Sequence, residues 1–183
     1  MMEEGKAVVW RGPMLMGALQ QMLSEVEWSP LDILVVDMPP GTGDAQLTLA
    51  QQTQLTGAVI VSTPQDIALL DARKGLNMFR KVSVPILGIV ENMSYFVCPH
   101  CGERSEIFGH GGAKAEAEAT MTAFLGEIPL DARIRETSDA GTPIVAADPQ
   151  SPQAESYLAL ARGVIEKLGQ AEGAAPPPVI REE

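Results

Sequence analysis

The sequence is poor in cysteine, in basic residues and in long apolar runs, and each shortage excludes a class of protein. Two cysteines among 183 residues cannot form the disulfide framework of a small secreted domain. With 13 basic against 24 acidic residues, the net charge of -11 repels the phosphates of nucleic acid and anionic lipid. No apolar run approaches the roughly 20 residues that span a bilayer, and the first residues do not resemble a signal peptide. We therefore expect a cytoplasmic protein that binds neither nucleic acid nor membrane.

The apolar residues that are present alternate between helical and strand patterns. A 45% apolar content over this length suits one folded domain, which we place over residues 1–168. Predicted helices lie at Pro13–Val26, Asp44–Leu55, Asp66–Val82, Ala113–Thr122 and Ser151–Leu168. Predicted strands lie at Leu31–Met38, Ala58–Ser62, Pro85–Val90 and Phe124–Ile128. This alternation predicts an α/β fold with a mostly parallel sheet and helices on both faces. The Ala, Pro and Gly-rich tail, residues 169–183, is expected to be disordered.

The periodicity fails over residues 93–112, and this insertion holds the two cysteines, in Cys98-Pro99-His100-Cys101-Gly102. In a reducing compartment such a pair is typical of metal binding or thiol redox chemistry. Two thiolates are half of the four ligands of a tetrahedral zinc or an iron-sulfur cluster, so a tightly held centre would require a second copy of the chain. A zinc knuckle remains an alternative. His100 is expected to be solvated rather than a ligand.

Asp37-Met38-Pro39-Pro40-Gly41-Thr42-Gly43-Asp44 follows the first predicted strand. At the carboxyl end of a parallel strand, Asp37 can order a magnesium ion or its water, and Gly41 lets a backbone N–H approach a phosphate. The alternative is a tight turn in which Asp44 is a helix N-cap. Three further polar residues are expected at the surface: His110 in a loop, and Glu116 and Glu118 on a helix face.

Several short motifs occur in a fixed order along the chain: Trp10–Met14, Asp37–Asp44 with Gln46-Leu47-Thr48, Ser62–Asp66, Glu91–Ser94, Cys98–Gly102, Phe108–Gly112 and Ile128–Asp131. Together they resemble the Mrp/ApbC family of iron-sulfur cluster carriers, which are MinD-like P-loop ATPases with a deviant Walker A motif. The resemblance runs from Val8 to Leu168.

The resemblance implies roles for five residues around a bound nucleotide. Asp37 would be the switch II aspartate that holds the magnesium-bound water, and Gly41 would lie in the loop that senses the γ-phosphate. Asn92 would read adenine, since its amide both donates and accepts. Pro129 and Asp131 would line the base pocket. Asn92 has an alternative as a turn cap, and Asp131 as the N-cap of a following turn.

The resemblance also implies that Cys98 and Cys101, with their counterparts in a homodimer, hold a [4Fe-4S] cluster. ATP and Mg²⁺ would then drive its transfer to apo iron-sulfur proteins, with cluster scaffold proteins as further partners. The rival function is a non-enzymatic zinc-knuckle interaction module. A MinD-like positioning ATPase would need an amphipathic membrane-targeting tail, which the Pro-rich acidic end does not offer.

The phosphate-binding loop that defines this family, a glycine-rich turn with two lysines, is not found in this sequence, and neither is its switch I aspartate. No Gly-x-x-x-x-Gly-Lys is present, and Lys6 and Lys74 have no glycine-rich turn around them. That loop supplies most of the N–H donors and the ammonium group that hold the triphosphate. We therefore interpret the chain as the carboxyl-terminal portion of a carrier, with an exposed apolar sheet edge, and expect ATP hydrolysis of the complete protein only.

Overall fold

The chain divides into two compact units, residues 1–54 and 55–183. The computed structural model describes residues 12–28, 30–38, 46–47, 50, 53 and 55–171. In the first unit, helix α1 spans Gly12–Ser24, which confirms the first predicted helix. Gln46, Leu47 and Ala50 are helical, within the second predicted helix. None of the described helices is both long and apolar enough to cross a membrane.

Residues 31–38 form no strand, so the prediction of a buried parallel strand there is wrong. Leu31, Ile33, Leu34 and Val35 are 42–85% exposed. A strand needs a neighbour to pair with its backbone N–H and C=O groups, and the described part of the first unit contains no other strand. Asp37 therefore does not end a parallel strand in the described residues.

The second unit contains the predicted parallel sheet. Its elements are β1 Ala58–Ser62, α2 Asp66–Lys81, β2 Ile86–Glu91, β3 Phe96–Val97, β4 Arg104–Ser105, α3 Gly112–Ala119, β5 Phe124–Glu127, α4 Ala132–Asp139, α5 Ile144–Ala147 and α6 Pro152–Ala171. The sheet order is β1-β2-β5, and both pairings are parallel. This order confirms three predicted strands, and α2, α3 and α6 pack against the sheet.

The central strand β2 is buried along almost its whole length, as its continuous aliphatic sequence predicts. Gly88 lets this strand approach β5 closely, because a Cβ there would lie 2.5 Å from Leu125 Cγ and 2.8 Å from Ala123 O. Parallel pairing also places the carboxyl ends of the three strands at one edge: Ser62 is in register with Glu91, and Glu91 with Glu127.

β1 is an edge strand among the three described strands. Val61 on β1 is 58% exposed and Ile67 on α2 is 79% exposed. The exposed apolar sheet edge expected from the sequence stays a prediction.

Helices α4 and α5 were not expected from the sequence. No residue of α4 is buried, so the helix carries no apolar face that periodicity could reveal. Helix α6 ends at Ala171 rather than Leu168, so residues 169–171 are helical and not part of a disordered tail. Residues 172–183 of the predicted tail lie outside the described residues.

Candidate functional site

The two cysteines lie in a loop at the tip of a small hairpin. Strands β3 and β4 pair antiparallel, with Val97 opposite Arg104. The loop 98–103 is closed by two backbone hydrogen bonds: Cys98 N–H donates to Glu103 O at 2.9 Å, and Gly102 N–H donates to Cys98 O at 2.8 Å. Gly102 adopts φ 74°, a left-handed conformation that glycine takes without steric cost. The backbone of the loop thus fixes the turn that carries both thiols.

The loop also prepares the Cys98 thiol for ionisation. Both cysteines are free; Cys98 is half-buried and Cys101 is exposed. Hydrogen bonds to the sulfur from the backbone of Cys101, then from that of His100, and from the Cys101 side chain lower the pKa of Cys98. A metal binds the thiolate, so this turn favours the ionised state that a metal requires. His100 is exposed, as predicted.

Within residues 12–28, 30–38 and 55–171, with the few described positions between them, no third histidine, cysteine or carboxylate joins the cysteine pair in a potential metal-binding group. One chain therefore brings two sulfur ligands together at this loop.

The base of the hairpin is hydrogen-bonded to the carboxyl edge of the parallel sheet. Beyond β2 and β5 the backbone ladder continues: Ile128 N–H donates to Glu91 O at 2.9 Å, and Ser94 N–H donates to Ile128 O at 3.0 Å. Leu130 N–H then donates to Tyr95 O at 2.7 Å. We call residues 128–130 the strap, because this segment binds the base of the hairpin to the sheet.

Asn92, predicted to read adenine, lies at this same edge. Its backbone N–H donates to Ser62 O at 2.8 Å, and its side-chain Oδ1 accepts from Met93 N–H at 2.9 Å. The second contact holds the Asn92 side chain against the turn, which is compatible with the turn-capping alternative, and adenine reading by Asn92 stays a prediction. The Asn92 amide nitrogen has no hydrogen-bond acceptor among the residues that the structure describes.

The other two predicted base-pocket residues lie in and after the strap. Pro129 is buried. Asp131 is the N-cap of α4: its Oδ1 accepts from Arg133 N–H at 2.7 Å, and its Oδ2 accepts from Gln153 Nε2 at 2.6 Å. The N-cap alternative is therefore confirmed. The strap, which contains Pro129 and leads into Asp131, is hydrogen-bonded to Ser94 and Tyr95, shortly after Asn92 in the chain.

Asp37 and Gly41, the predicted residues at the phosphate end, belong to the first unit. Asp37 is exposed there. Gly41 lies outside the described residues. Their roles in nucleotide chemistry stay predictions.

The sequence did not identify Glu91 as a site residue, although its carboxylate is fully buried. Its Oε1 accepts from Ser94 Oγ at 2.6 Å and from Gly111 N–H at 2.9 Å, and its Oε2 accepts from Ala113 N–H at 2.8 Å. The carboxylate thereby satisfies N–H groups at the start of α3, where the helix dipole favours negative charge. The sequence did hold one signal for this role: Glu91 is an acidic residue at the end of a continuous aliphatic strand.

A second group of charged side chains joins the hairpin to the sheet. Arg104 on β4 lies over the Tyr95 ring, with its guanidinium carbon 4.1 Å from the ring centroid. Its Nη2 lies 3.2 Å from each ring nitrogen of His110 and 3.8 Å from Glu127 Oε2. His110 Nδ1 lies 3.5 Å from Glu91 Oε1, and its Nε2 lies 3.5 Å from Glu127 Oε1. His110 is exposed in a loop, as predicted, and its ring also lies against Arg104 and faces two carboxylates.

The sequence of this chain is matched by the model of a known protein family. The family model described as ParA, NUBPL iron-transfer P-loop NTPase, matches residues 1–165. The chain belongs to this family. The match confirms the predicted resemblance to iron-sulfur cluster carriers and the P-loop NTPase-like fold.

Curated relatives of this NUBPL-family chain are named as iron-sulfur proteins. It is 54% identical over 168 residues to the iron-sulfur cluster transfer protein NUBPL of Dictyostelium discoideum, covering 92% of this chain and 52% of that protein. It is 56% identical over 165 residues to the iron-sulfur cluster carrier protein of Escherichia coli (strain K12), covering 90% of this chain and 45% of that protein. The chain thus spans about half the length of these relatives.

Solved structures share the fold. A nucleotide-binding protein from Archaeoglobus fulgidus in complex with ADP is 41% identical with a TM-score of 0.64, covering 79% of this chain and 55% of that one. The septum site-determining protein MinD of Pyrococcus horikoshii, complexed with Mg-ADP, is 23% identical with a TM-score of 0.65, covering 90% and 63%. The second likeness shows the MinD-like fold alone.

Proposed function

We propose that this chain carries a [4Fe-4S] cluster between two copies of its cysteine hairpin and passes it to apo iron-sulfur proteins. The observation that carries the proposal is the hydrogen-bonded loop 98–103, which holds two free thiols with two residues between them and leaves Cys101 exposed. The names of the curated relatives, which are cluster carrier and transfer proteins, support the same function.

A homodimer follows from the ligand count. A [4Fe-4S] cluster is held by four cysteine thiolates, and one chain contributes two. The loop is at the tip of a hairpin with Cys101 and Val97 exposed, so two such tips can approach each other on a two-fold axis.

Exposure of the loop also suits a cluster that has to be transferred to another protein. Thiolates of a recipient protein, or of a scaffold protein that supplies the cluster, can reach the iron atoms and replace Cys98 and Cys101 one bond at a time. This exchange of ligands involves no net oxidation or reduction. A buried site would retain its cluster, whereas an exposed one exchanges it.

In the complete protein, we propose that ATP binding and hydrolysis with Mg²⁺ control this transfer. Asn92 would contact the base through its amide nitrogen, with Pro129 and Asp131 shaping the pocket around it. Asp37 would hold the magnesium-bound water, and Gly41 would sense the γ-phosphate. In its present contacts Asp131 would act by fixing the start of α4 next to the base.

Anaerobic reconstitution with iron and sulfide tests the carrier function. We expect about one cluster per dimer, seen as an absorption band at about 400 nm and as a dimer in analytical ultracentrifugation. Cys98→Ala or Cys101→Ala should abolish it, while His100→Ala, a matched change of an exposed residue in the same loop, should retain it. A complete cluster on a lone subunit, or undiminished iron in a cysteine variant, would contradict the proposal.

The zinc-knuckle module remains the second candidate, because the same turn with N–H groups directed at a thiolate also suits zinc. Metal analysis separates the two functions. Colourless protein that contains stoichiometric zinc, and takes up no iron and sulfide, would favour the module.

A further inference from the structure

The cysteine hairpin is too small to hold its own orientation. Each of its strands has two residues, and an isolated two-stranded hairpin is marginally stable in water. The backbone bonds of the strap fix its base at Ser94 and Tyr95. The far end, where Cys98 and Cys101 lie, must be fixed by side chains.

Arg104 is the side chain placed to do this. Arg104 lies opposite Val97, the residue before Cys98, so its side chain starts from β4 next to the cysteine loop. Its guanidinium packs on Tyr95 and reaches out of the hairpin to His110 and Glu127. The aromatic face and the carboxylate both favour a cation at this position.

His110 continues the connection into the sheet. Each of its ring nitrogens faces a different carboxylate, Glu91 at the end of β2 and Glu127 at the end of β5. Ser94 Oγ lies 3.0 Å from Nδ1, on the Glu91 side. Because Glu91 is fully buried and already accepts three hydrogen bonds, it provides a fixed anchor.

The same three side chains, Glu91, His110 and Glu127, offer ligand atoms within 4.8 Å of one another, as a cation site would. Two features disfavour that role. The two ring nitrogens face opposite carboxylates, so a single metal-bound nitrogen would not serve both. Arg104 already brings a positive charge to within 3.2 Å of the ring. The arrangement is that of a link made of charged and polar contacts, with the guanidinium group against the imidazole ring and a carboxylate near each ring nitrogen.

We propose that Arg104 and His110 are positioning residues that lock the cysteine hairpin to the carboxyl edge of β2 and β5, and thereby set the rate at which the hairpin gives up its metal. The lock ends at Glu91, the residue before Asn92, and at Glu127, which leads into the strap and Asp131. The hairpin and the proposed base pocket therefore share one rigid frame. As far as metal retention is concerned, this inference rests on the proposed carrier function.

Two measurements test the lock. In metal-free protein, His110→Ala and Arg104→Ala should each raise hydrogen exchange at the Cys98 and Gly102 amides about tenfold, without a matching change in the sheet amides. In reconstituted protein, the same variants should start with normal iron content and lose it to bathophenanthroline disulfonate about tenfold faster.

The choice of variants separates positioning from general damage. His110→Gln keeps a group that donates and accepts, and should stay within about threefold of the wild type in both measurements. The double variant Arg104→Ala/His110→Ala should be no faster than either single change, since both break one connection. Arg135→Ala removes an exposed ion pair on α4 and should change neither rate.

Three other results would each overturn one of these claims. Equal amide exchange and equal iron loss in wild type and variants would overturn the lock while leaving the carrier function intact. A wild type that takes up no cluster would overturn the carrier function, and amide exchange would still decide the lock. Tight one-to-one binding of Co²⁺ by a Cys98→Ser/Cys101→Ser variant would identify a cation site at Glu91, His110 and Glu127, and would overturn the link.

Discussion

Arg73 on α2 donates to both carboxylate oxygens of Glu116 on α3, from Nε at 2.8 Å to Oε1 and from Nη2 to Oε2. Glu116 is 5% exposed, so the expectation of a solvated face is wrong for this residue and right for its neighbour Glu118. Two hydrogen bonds and a charge partner make burial of this carboxylate acceptable. The pair fixes the two helices that pack on β1 and β2.

Glu116→Gln should destabilise the protein by about 1–2 kcal/mol, because it replaces charge-assisted hydrogen bonds by one neutral bond. Urea unfolding followed by circular dichroism measures the change. Glu118→Gln, on the exposed side of the same helix, is the control and should be neutral. A variant as stable as the wild type at pH 7 would contradict the assignment.

The same substitution should show a pH dependence of definite sign. Hydrogen bonds from Arg73 lower the pKa of Glu116 below its ordinary value. The stabilisation is therefore complete above the ordinary carboxyl pKa and is lost as the pH falls through the lowered one. The difference in unfolding free energy between wild type and Glu116→Gln should be constant near neutrality and shrink below about pH 4. A constant difference down to pH 2.5 would rule this out.

Glu91→Gln should cost about 2 kcal/mol, because an amide cannot accept all three of the hydrogen bonds that the buried carboxylate accepts. Its NH₂ group would face an N–H or O–H donor, leaving one buried donor unpaired. Urea unfolding measures the loss, and amide exchange at Gly111 and Ala113 localises it. Retention of full protection at both amides would contradict the role of Glu91 as the hydrogen-bond acceptor at the start of α3.

Met121→Gly should stabilise the protein by about 0.5–1 kcal/mol. Met121 follows α3 at φ 53°, in a Schellman cap where its N–H donates to Glu118 O and Thr122 N–H donates to Ala117 O. The side chain is 94% exposed, so its removal sacrifices little packing. Gly111→Ala, at φ 76°, is the opposite change and should destabilise. Thermal unfolding compares them, and a less stable Met121→Gly would refute the cap.

The rate of Cys98 alkylation should rise with pH, with a midpoint below the ordinary pKa of a thiol. Backbone hydrogen bonds from Cys101 and His100 lower the pKa of Cys98. Iodoacetamide labelling read by mass spectrometry gives the midpoint. The same cysteine in urea-unfolded protein is the reference, since unfolding removes these bonds. Identical midpoints in folded and unfolded protein would show that the turn does not act on the thiol.

Continuous aliphatic runs predicted β1 and β2, because the local pattern and the paired environment agree there. The run at 31–38 has the same pattern, yet a strand also depends on a neighbour, and the described part of the first unit supplies none. Helix α4 was missed because it has no apolar face to give a helical pattern in the sequence. It is stabilised instead by its N-cap, Asp131.

The cysteine loop was predictable from its spacing, but the residues that hold it were not. The register of β2 with β5 places Glu91 beside Glu127, and the hairpin and the loop that follows it bring Arg104 and His110 to these carboxylates. Glu116 carried a readable signal, since the buried Ala113 and Ala117 place it on the inward face of α3.

The strap has a consequence for protein engineering. Residues 96–105 would not work as a portable cassette, because the backbone donors and acceptors at Ile128 and Leu130 that orient this segment lie elsewhere in the chain. Grafting the loop onto a foreign scaffold would require the whole block from Glu91 to Asp131, with the parallel strand pair at its root.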